Sequence, residues 1–154
     1  MAGVAARLVE AADIDAAAAL LDRFNREFDT PTPGPAVIAR RLRSHLDADS
    51  LLAFAIGDPI VGIAVVSLRP NVWHDGPVAL LDELYVVPER RDRGLGTALI
   101  AAVRAECRRR RVEQIEINVD IGDTDARRFY ERHGFTAIEP DTGEHALWYH
   151  GPVD

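Results

Sequence analysis

Between Leu80 and Ala102 the chain reads L-L-D-E-L-Y-V-V-P-E-R-R-D-R-G-L-G-T-A-L-I-A-A, and few folds accommodate that run. Apolar, β-branched and aromatic residues stop at Pro88, a basic turn with two glycines follows, and an alanine-rich helical pattern begins at Thr97. A strand that hands its loop to a helix start presents N–H groups with no intrahelical partner and a partial positive charge. Gly94 and Gly96 let an anion approach the backbone, and Arg90, Arg91 and Arg93 surround the turn. These residue types fit a phosphate or diphosphate. A plain basic helix cap would need neither the two glycines nor the three arginines. Two common phosphate loops are excluded: the third glycine of G-x-G-x-x-G is missing, and the stretch has no lysine for G-K-[ST].

The remaining segments give this run its setting. Residues 4–10 read as a short strand. Asp13 can cap a helix from Ile14 to Phe28, whose stripe is Ile14, Ala18, Leu21 and Phe28. The prolines between Asp29 and Pro35 make a rigid loop. Pro35 then opens a second helix with Ile38, Leu42 and Leu46 on one side and Arg40, Arg41 and Arg43 on a solvated one. Leu51–Ile56 and Ile60–Leu68 flank Gly57-Asp58-Pro59 as a hairpin. Val78–Val87 is apolar on both faces, so it should be central and covered on both sides. Thr97–Arg111 is a helix whose four final arginines form a solvated tail favourable to the helix dipole. Glu113–Val119 alternates as a half-buried strand, and Asp123 or Thr124 caps a helix that Gly134 ends. Phe135–Ile138 and Ala146–His150 read as closing strands. The order β-α-α-β-β-β-α-β-α-β-β predicts an α/β (α+β) fold, with helices on both faces of a mixed, largely antiparallel sheet. The length suits one domain spanning residues 1–154.

A net charge of -7 argues against nucleic acid or an anionic membrane as the main partner and mildly favours a cationic substrate. No apolar run reaches the ~18 residues of a membrane span. The single cysteine, Cys107, sits at an apolar helix position and suggests a reducing cytoplasm. The five histidines lack ligand spacing, so no metal is expected.

The R-x-x-G-x-G of Arg91 to Gly96, preceded by Val-Val-Pro-Glu-Arg and followed by Thr97-Ala98-Leu99, resembles the acetyl-CoA loop of the GNAT superfamily of N-acetyltransferases. Asp123 to Phe135 is similar to its second signature, N-x-x-A-x-x-x-Y-E-x-x-G-F, with Ala126, Tyr130, Glu131, Gly134 and Phe135 matching and Asp123 in place of asparagine. Leu81 to Gly96 is most similar to a branch that includes polyamine and other small-amine acetyltransferases. That branch has a glycine where this chain has Asp92, whose side chain should point to solvent. The resemblance implies the GNAT acyl-CoA N-acyltransferase fold, acetyl-CoA as cofactor, and direct transfer of acetyl to a primary amine in a ternary complex. It also implies roles. Backbone groups of Tyr85, Val86 and Val87 would pair with the pantetheine arm, and one N–H there would face the carbonyl oxygen as charge develops on it. Arg91, Asp92, Arg93, Gly94, Leu95, Gly96 and Thr97 would cradle the diphosphate. Asp123, Ala126 and Tyr130 would complete the cofactor contacts, with Tyr130 as the acid that protonates the leaving thiolate.

The base is read from the residues themselves. Glu83 stands in an otherwise apolar strand, where a carboxylate is costly without a purpose and where burial would raise its pKa into a useful range. Asp82 is either an amine-binding carboxylate or, with Glu83, part of an ion-paired scaffold. Glu27, Asp29, Trp73, His74 and Asp75 lie in the two variable loops and are candidates to line the acceptor pocket. A small-molecule amine is the favoured acceptor. A protein N-terminus or lysine, and a non-catalytic acyl-CoA-binding module, are the alternatives. Dimers are frequent in the superfamily, so a homodimer stands open.

Overall fold

The computed structural model describes residues 4–153, which divide into two compact units with the boundary in the chain between Ile117 and Asn118. The first holds a five-stranded sheet in the spatial order β1-β2-β3-β4-β5: Arg7–Leu8, Leu51–Ile56, Gly62–Arg69, Val78–Val86 and Ile115–Ile117. The first four strands are antiparallel to their neighbours, and β5 lies parallel to β4. Three helices belong to this unit: α1 (Ile14–Glu27), α2 (Pro35–Asp47) and α3 (Leu95–Arg109).

Alternation explains the layers. Ala53 of β2, Ile63 and Val65 of β3 and Tyr85 of β4 form one buried cluster with Ile14, Ala17 and Ala18 of α1 and Leu42 of α2. The intervening residues Leu52, Phe54, Ala64 and Val66 are buried too, on the face against which α3 sets Leu99, Ile100 and Val103. Each large apolar side chain so buried contributes roughly 1.5–3 kcal/mol. Ala17 and Ala18 are completely buried, and their small side chains let α1 lie close to the sheet. Pro35 is the first residue of α2, as its fixed φ favours. Phe28, expected inward, is 58% exposed because α1 ends one residue before it.

Several boundaries differ from the sequence expectation. The first strand shrinks to Arg7–Leu8, since the chain turns into a 3₁₀ turn over Ala11–Asp13. Asp13 does not cap α1. Its carboxylate closes that turn, accepting from the Glu10 N–H (2.8 Å) and from Arg7 Nη2 (2.8 Å). These bonds, from Arg7 first, hold its pKa down to about 2 against an ordinary 3.8. A lowered carboxyl pKa stabilises the fold above the ordinary value and loses that contribution as the pH falls toward 2. Asp13→Asn therefore lowers Tm at pH 7 by about 2 °C, an exposed-pair effect, and melting curves of variant and parent converge near pH 2.

Of the four arginines at the end of α3, Arg108, Arg109 and Arg111 are exposed as expected, but Arg110 is drawn in. Arg110 bonds Glu106 (2.7 Å) and Asp49 (2.9 Å), and its side chain is only 21% exposed. Just beyond α3, the Arg111 carbonyl meets the β3–β4 loop. A Cβ on Gly76 would fall 2.0 Å from that oxygen. The same loop is knotted by Asn71, whose Oδ1 accepts from the Trp73 and His74 N–H groups and whose Nδ2 donates to the Gly76 carbonyl.

The second unit contains α4 (Thr124–Arg132). Asp123 caps it by accepting from the Ala126 N–H (3.0 Å), and Gly134 ends it at φ +81°. The aromatic rings of Phe129 and Phe135 both meet Tyr130 edge-on. The two closing strands expected after α4 reduce to a single antiparallel bridge, Ile138↔His145. A two-stranded ribbon this short is at the margin of stability in water, whatever its apolar content.

Candidate functional site

The ladders on the two edges of β4 have different lengths. On its β5 edge pairing runs from Ala79↔Ile115 to Leu81↔Ile117 and stops. On its β3 edge pairing continues to Gly62↔Val86, with a register shift that leaves Asp82 as an extra residue between Leu81 and Glu83. Asp82 is thus a β-bulge, exposed, at the point where the β5 ladder ends. Beyond it β4 is laddered on one side only among the described strands. The Val87 N–H donates to the Val61 carbonyl (2.9 Å), so the backbone groups of Val87 and Tyr85 face β3. Strand alternation turns those of Leu84 and Val86 to the open edge.

After Val86 the chain makes a 3₁₀ turn over Pro88–Arg90 and reaches α3 through Asp92 and Gly94, both left-handed at φ +58° and +76°. Gly94 is the N-cap of α3 and its surroundings are open, so glycine serves there for its φ. Asp92 stands where the resembled pattern has glycine. Its left-handed backbone explains that glycine, and Asp is among the few other residues that tolerate the conformation. Its side chain is exposed, as expected. The first-turn N–H groups of α3, from Leu95 to Thr97, lie beside this turn.

Arg91 does not reach outward. Its Nε donates to the Val86 carbonyl (2.9 Å) and its Nη2 to Glu27 (2.7 Å), with the guanidinium 5.6 Å from the Tyr85 ring centroid. Tyr85 Oη donates to the other Glu27 oxygen (2.6 Å), and its ring stacks on Phe24. Burial, then this bond to a carboxylate, push the Tyr85 phenol up to about 12. Burial alone would raise the Glu27 carboxyl. The bonds from Tyr85 and Arg91 outweigh it and hold Glu27 below its ordinary range. Glu27, expected at an acceptor pocket, thus fastens the end of α1 to the loop after β4. Nothing in the residue string announced this tie.

Glu83, facing the α1 and α2 side of the sheet, lies in a cavity of about 280 Å³. Leu21 and Asn25 of α1, Ile38 and Arg41 of α2 and Val65 of β3 are among its walls. Glu83 has no hydrogen bond or ion pair among the described residues. Burial, then repulsion from Asp82, raise its pKa above 4.5. A larger cavity, about 730 Å³, lies by the β3–β4 loop at the start of β4 and includes His74 and Asp75. Its other charged groups are paired, His74 with Glu113, Arg110 with Asp49 and Arg109 with Glu106, and Asp75 is exposed to water. Size alone does not select it, since the uncompensated carboxylate is in the smaller one.

The structure therefore brings Glu83, Val86 and the Arg91–Thr97 turn onto one strand–loop–helix passage. Trp73, 87% exposed, and His74 sit at the opposite end of β4, ~27 Å of strand away from Val86. Neither they nor Glu27 or Asp29 line the Glu83 cavity. Arg41, Asn25 and His45 do, and sequence reasoning missed them. The available signal was the spacing Ile38, Arg41, Leu42, His45 on a single helical stripe. Tyr130 and Ala126 are on α4 of the second unit.

The profile of the acetyltransferase (GNAT) family matches residues 14–135. A crystal structure of a candidate acetyltransferase from Arthrobacter sp. FB24 is 46% identical, covers 99% of this chain and 98% of that one, and superposes with a TM-score of 0.93. A mycothiol acetyltransferase of Thermobispora bispora is 46% identical over 40% of this chain. An aminoalkylphosphonate N-acetyltransferase of Salmonella typhimurium is 30% identical over 49% of it. The matched stretches span 21% and 49% of those two curated relatives.

Proposed function

The chain belongs to the acetyltransferase (GNAT) family, whose members use acetyl-CoA, and from that premise we propose that it transfers acetyl from acetyl-CoA to the primary amine of a small molecule by direct attack in a ternary complex. The observation that carries this reading is the unequal laddering of β4. Leu84 and Val86 would offer the backbone groups of the open edge to the pantetheine arm, as to an added strand. The Val86 carbonyl already accepts from Arg91, and its second lone pair is available to a cofactor amide. The Val86 N–H would stabilise charge on the thioester oxygen, and the Arg91–Thr97 turn with the α3 N-terminus would hold the diphosphate.

The acceptor arrives as an ammonium and gives one proton to Glu83. Its nitrogen then bonds the acetyl carbon as the C–S bond breaks. The nitrogen loses a second proton, and coenzyme A leaves as the thiol with a proton from Tyr130. The balance is amide, free thiol and one proton to solvent. The name of one curated relative gives a small aminoalkyl compound as its acceptor, which supports the small-molecule reading.

Calorimetry with coenzyme A, and thiol release from acetyl-CoA with amines and peptides, test this. Micromolar binding and turnover with small amines are expected. Failure to bind coenzyme A at millimolar levels would overturn the reading, and faster turnover of peptides would replace the acceptor with a protein. Tyr130→Phe should slow turnover only about tenfold, because a thiol of pKa ~8.5 departs readily even unprotonated, with coenzyme affinity retained. Unchanged turnover would remove Tyr130 as the acid.

A further inference from the structure

The Glu83 cavity is lined by groups of opposite charge, Glu83 and Arg41. Glu83 is half-buried, makes no ion pair among the described residues and has Asp82 as a like-charged neighbour. Such a carboxylate lacks the counter-ion that burial demands. Its walls include Leu21, Ile38, Leu42 and Val65, which offer nothing to a second polar group. At the rim stands Arg41, exposed on α2, with no hydrogen bond or ion pair among the described residues. His45 lies one turn further along the same stripe.

We infer that the acceptor is a small zwitterion: a primary amine seated at Glu83, joined by a short apolar linker to a carboxylate or phosphonate held by Arg41. The inference rests on the acetyl-transfer reading and names the acceptor class for that site. Three features carry it. A guanidinium presents a planar fork suited to two-oxygen anions. The same guanidinium repels a second ammonium, so a diamine is selected against. The cavity's 280 Å³ is at the lower limit of ligand pockets, which favours a linker of a few carbons over a ring system. The sequence expectation was an acceptor pocket lined by Glu27, Asp29, Trp73, His74 and Asp75, and a cationic substrate. The cavity that holds Glu83 is lined instead by an exposed arginine and a half-buried acid.

The test is a matched set of acceptors with the same linker: a neutral alkylamine, an ω-amino carboxylate, an ω-amino phosphonate and a diamine, each assayed with saturating acetyl-CoA by thiol release. The wild type should prefer an anionic amine over the neutral one by about tenfold in kcat/KM. Arg41→Ala should bring that ratio to near unity, and Arg41→Glu should favour the diamine. Arg40→Ala, a charge loss on the same helix outside the cavity, should keep the preference. The two anionic arms decide between carboxylate and phosphonate. A wild-type preference for the neutral amine or the diamine would overturn the inference, as would an equal effect of Arg41→Ala on all four. Calorimetry of each amine with the protein–coenzyme A complex reads the same ratio without turnover. Coenzyme binding with thiol release but no anion preference defeats this inference alone. Absence of coenzyme binding defeats the acetyl-transfer reading beneath it.

Discussion

Replacing Glu83 with glutamine lowers kcat by about 10²–10³-fold at pH 7 while coenzyme A affinity stays within about twofold. The amide keeps the size and the cavity but cannot take the ammonium proton. The pH profile separates this from a packing effect. The wild type loses turnover as the pH falls through the Glu83 pKa, which burial and Asp82 hold above 4.5. The variant's residual rate has no such limb. Stability moves the other way. An acid whose pKa is raised in the folded state favours the fold below its ordinary pKa, and that contribution is lost as the pH rises through the folded value. The glutamine variant is therefore more stable than the wild type at pH 7 and equal to it near pH 4. Lost turnover with a raised Tm marks a group kept for chemistry at a cost to the fold. An unchanged profile with unchanged Tm would return Glu83 to the scaffold.

Gly76→Ala is the most damaging single methyl among the glycines considered. The new Cβ would meet the Arg111 carbonyl at 2.0 Å, and that contact is backbone. No rotamer change relieves it. Either the loop fixed by Asn71 or the chain leaving α3 must shift, and the Ala79 N–H bond to the Gln114 carbonyl lies next to both. A cost of about 3 kcal/mol or more follows, a fall in Tm of about 6–12 °C by calorimetry. Gly94→Ala, in open space with only its positive φ to lose, should cost about 1 kcal/mol and serves as the comparison. Equal melting temperatures for the two variants would show that the loop yields freely.

What the residue string made legible was whatever a single segment decides for itself. The strand–turn–helix around Val86 and Gly94, both early helices and the double-sided burial of β4 are local matters of period and punctuation. What it hid depends on a partner. The bulge at Asp82 exists only relative to Val65 and Val66, so simple alternation along β4 could not reveal it. Arg91 was read as a phosphate ligand by its loop, yet Glu27 and Val86 hold its side chain inward. Asp13 had the right residue type for a cap and a better partner in Arg7. Arg41 is exposed, as its cluster of three arginines suggested, but it also lines the Glu83 cavity, which only the packing of α2 against the sheet reveals. Trp148 and Tyr149 have strand propensity, but propensity does not supply the partner that a strand requires.

The spatial order of the sheet repeats its order along the chain. Each antiparallel neighbour can therefore add as it emerges in synthesis, without threading and with small sequence separation between β2, β3 and β4. The strand β5 joins last, since α3 has to cross over before Ile115–Ile117 can pair with β4. The last strand to arrive is also the one that stops short beside β4. The edge left for a guest molecule thus continues the seam completed at the end of the sheet's assembly, which rests on three residue pairs where the opposite edge of β4 has eight.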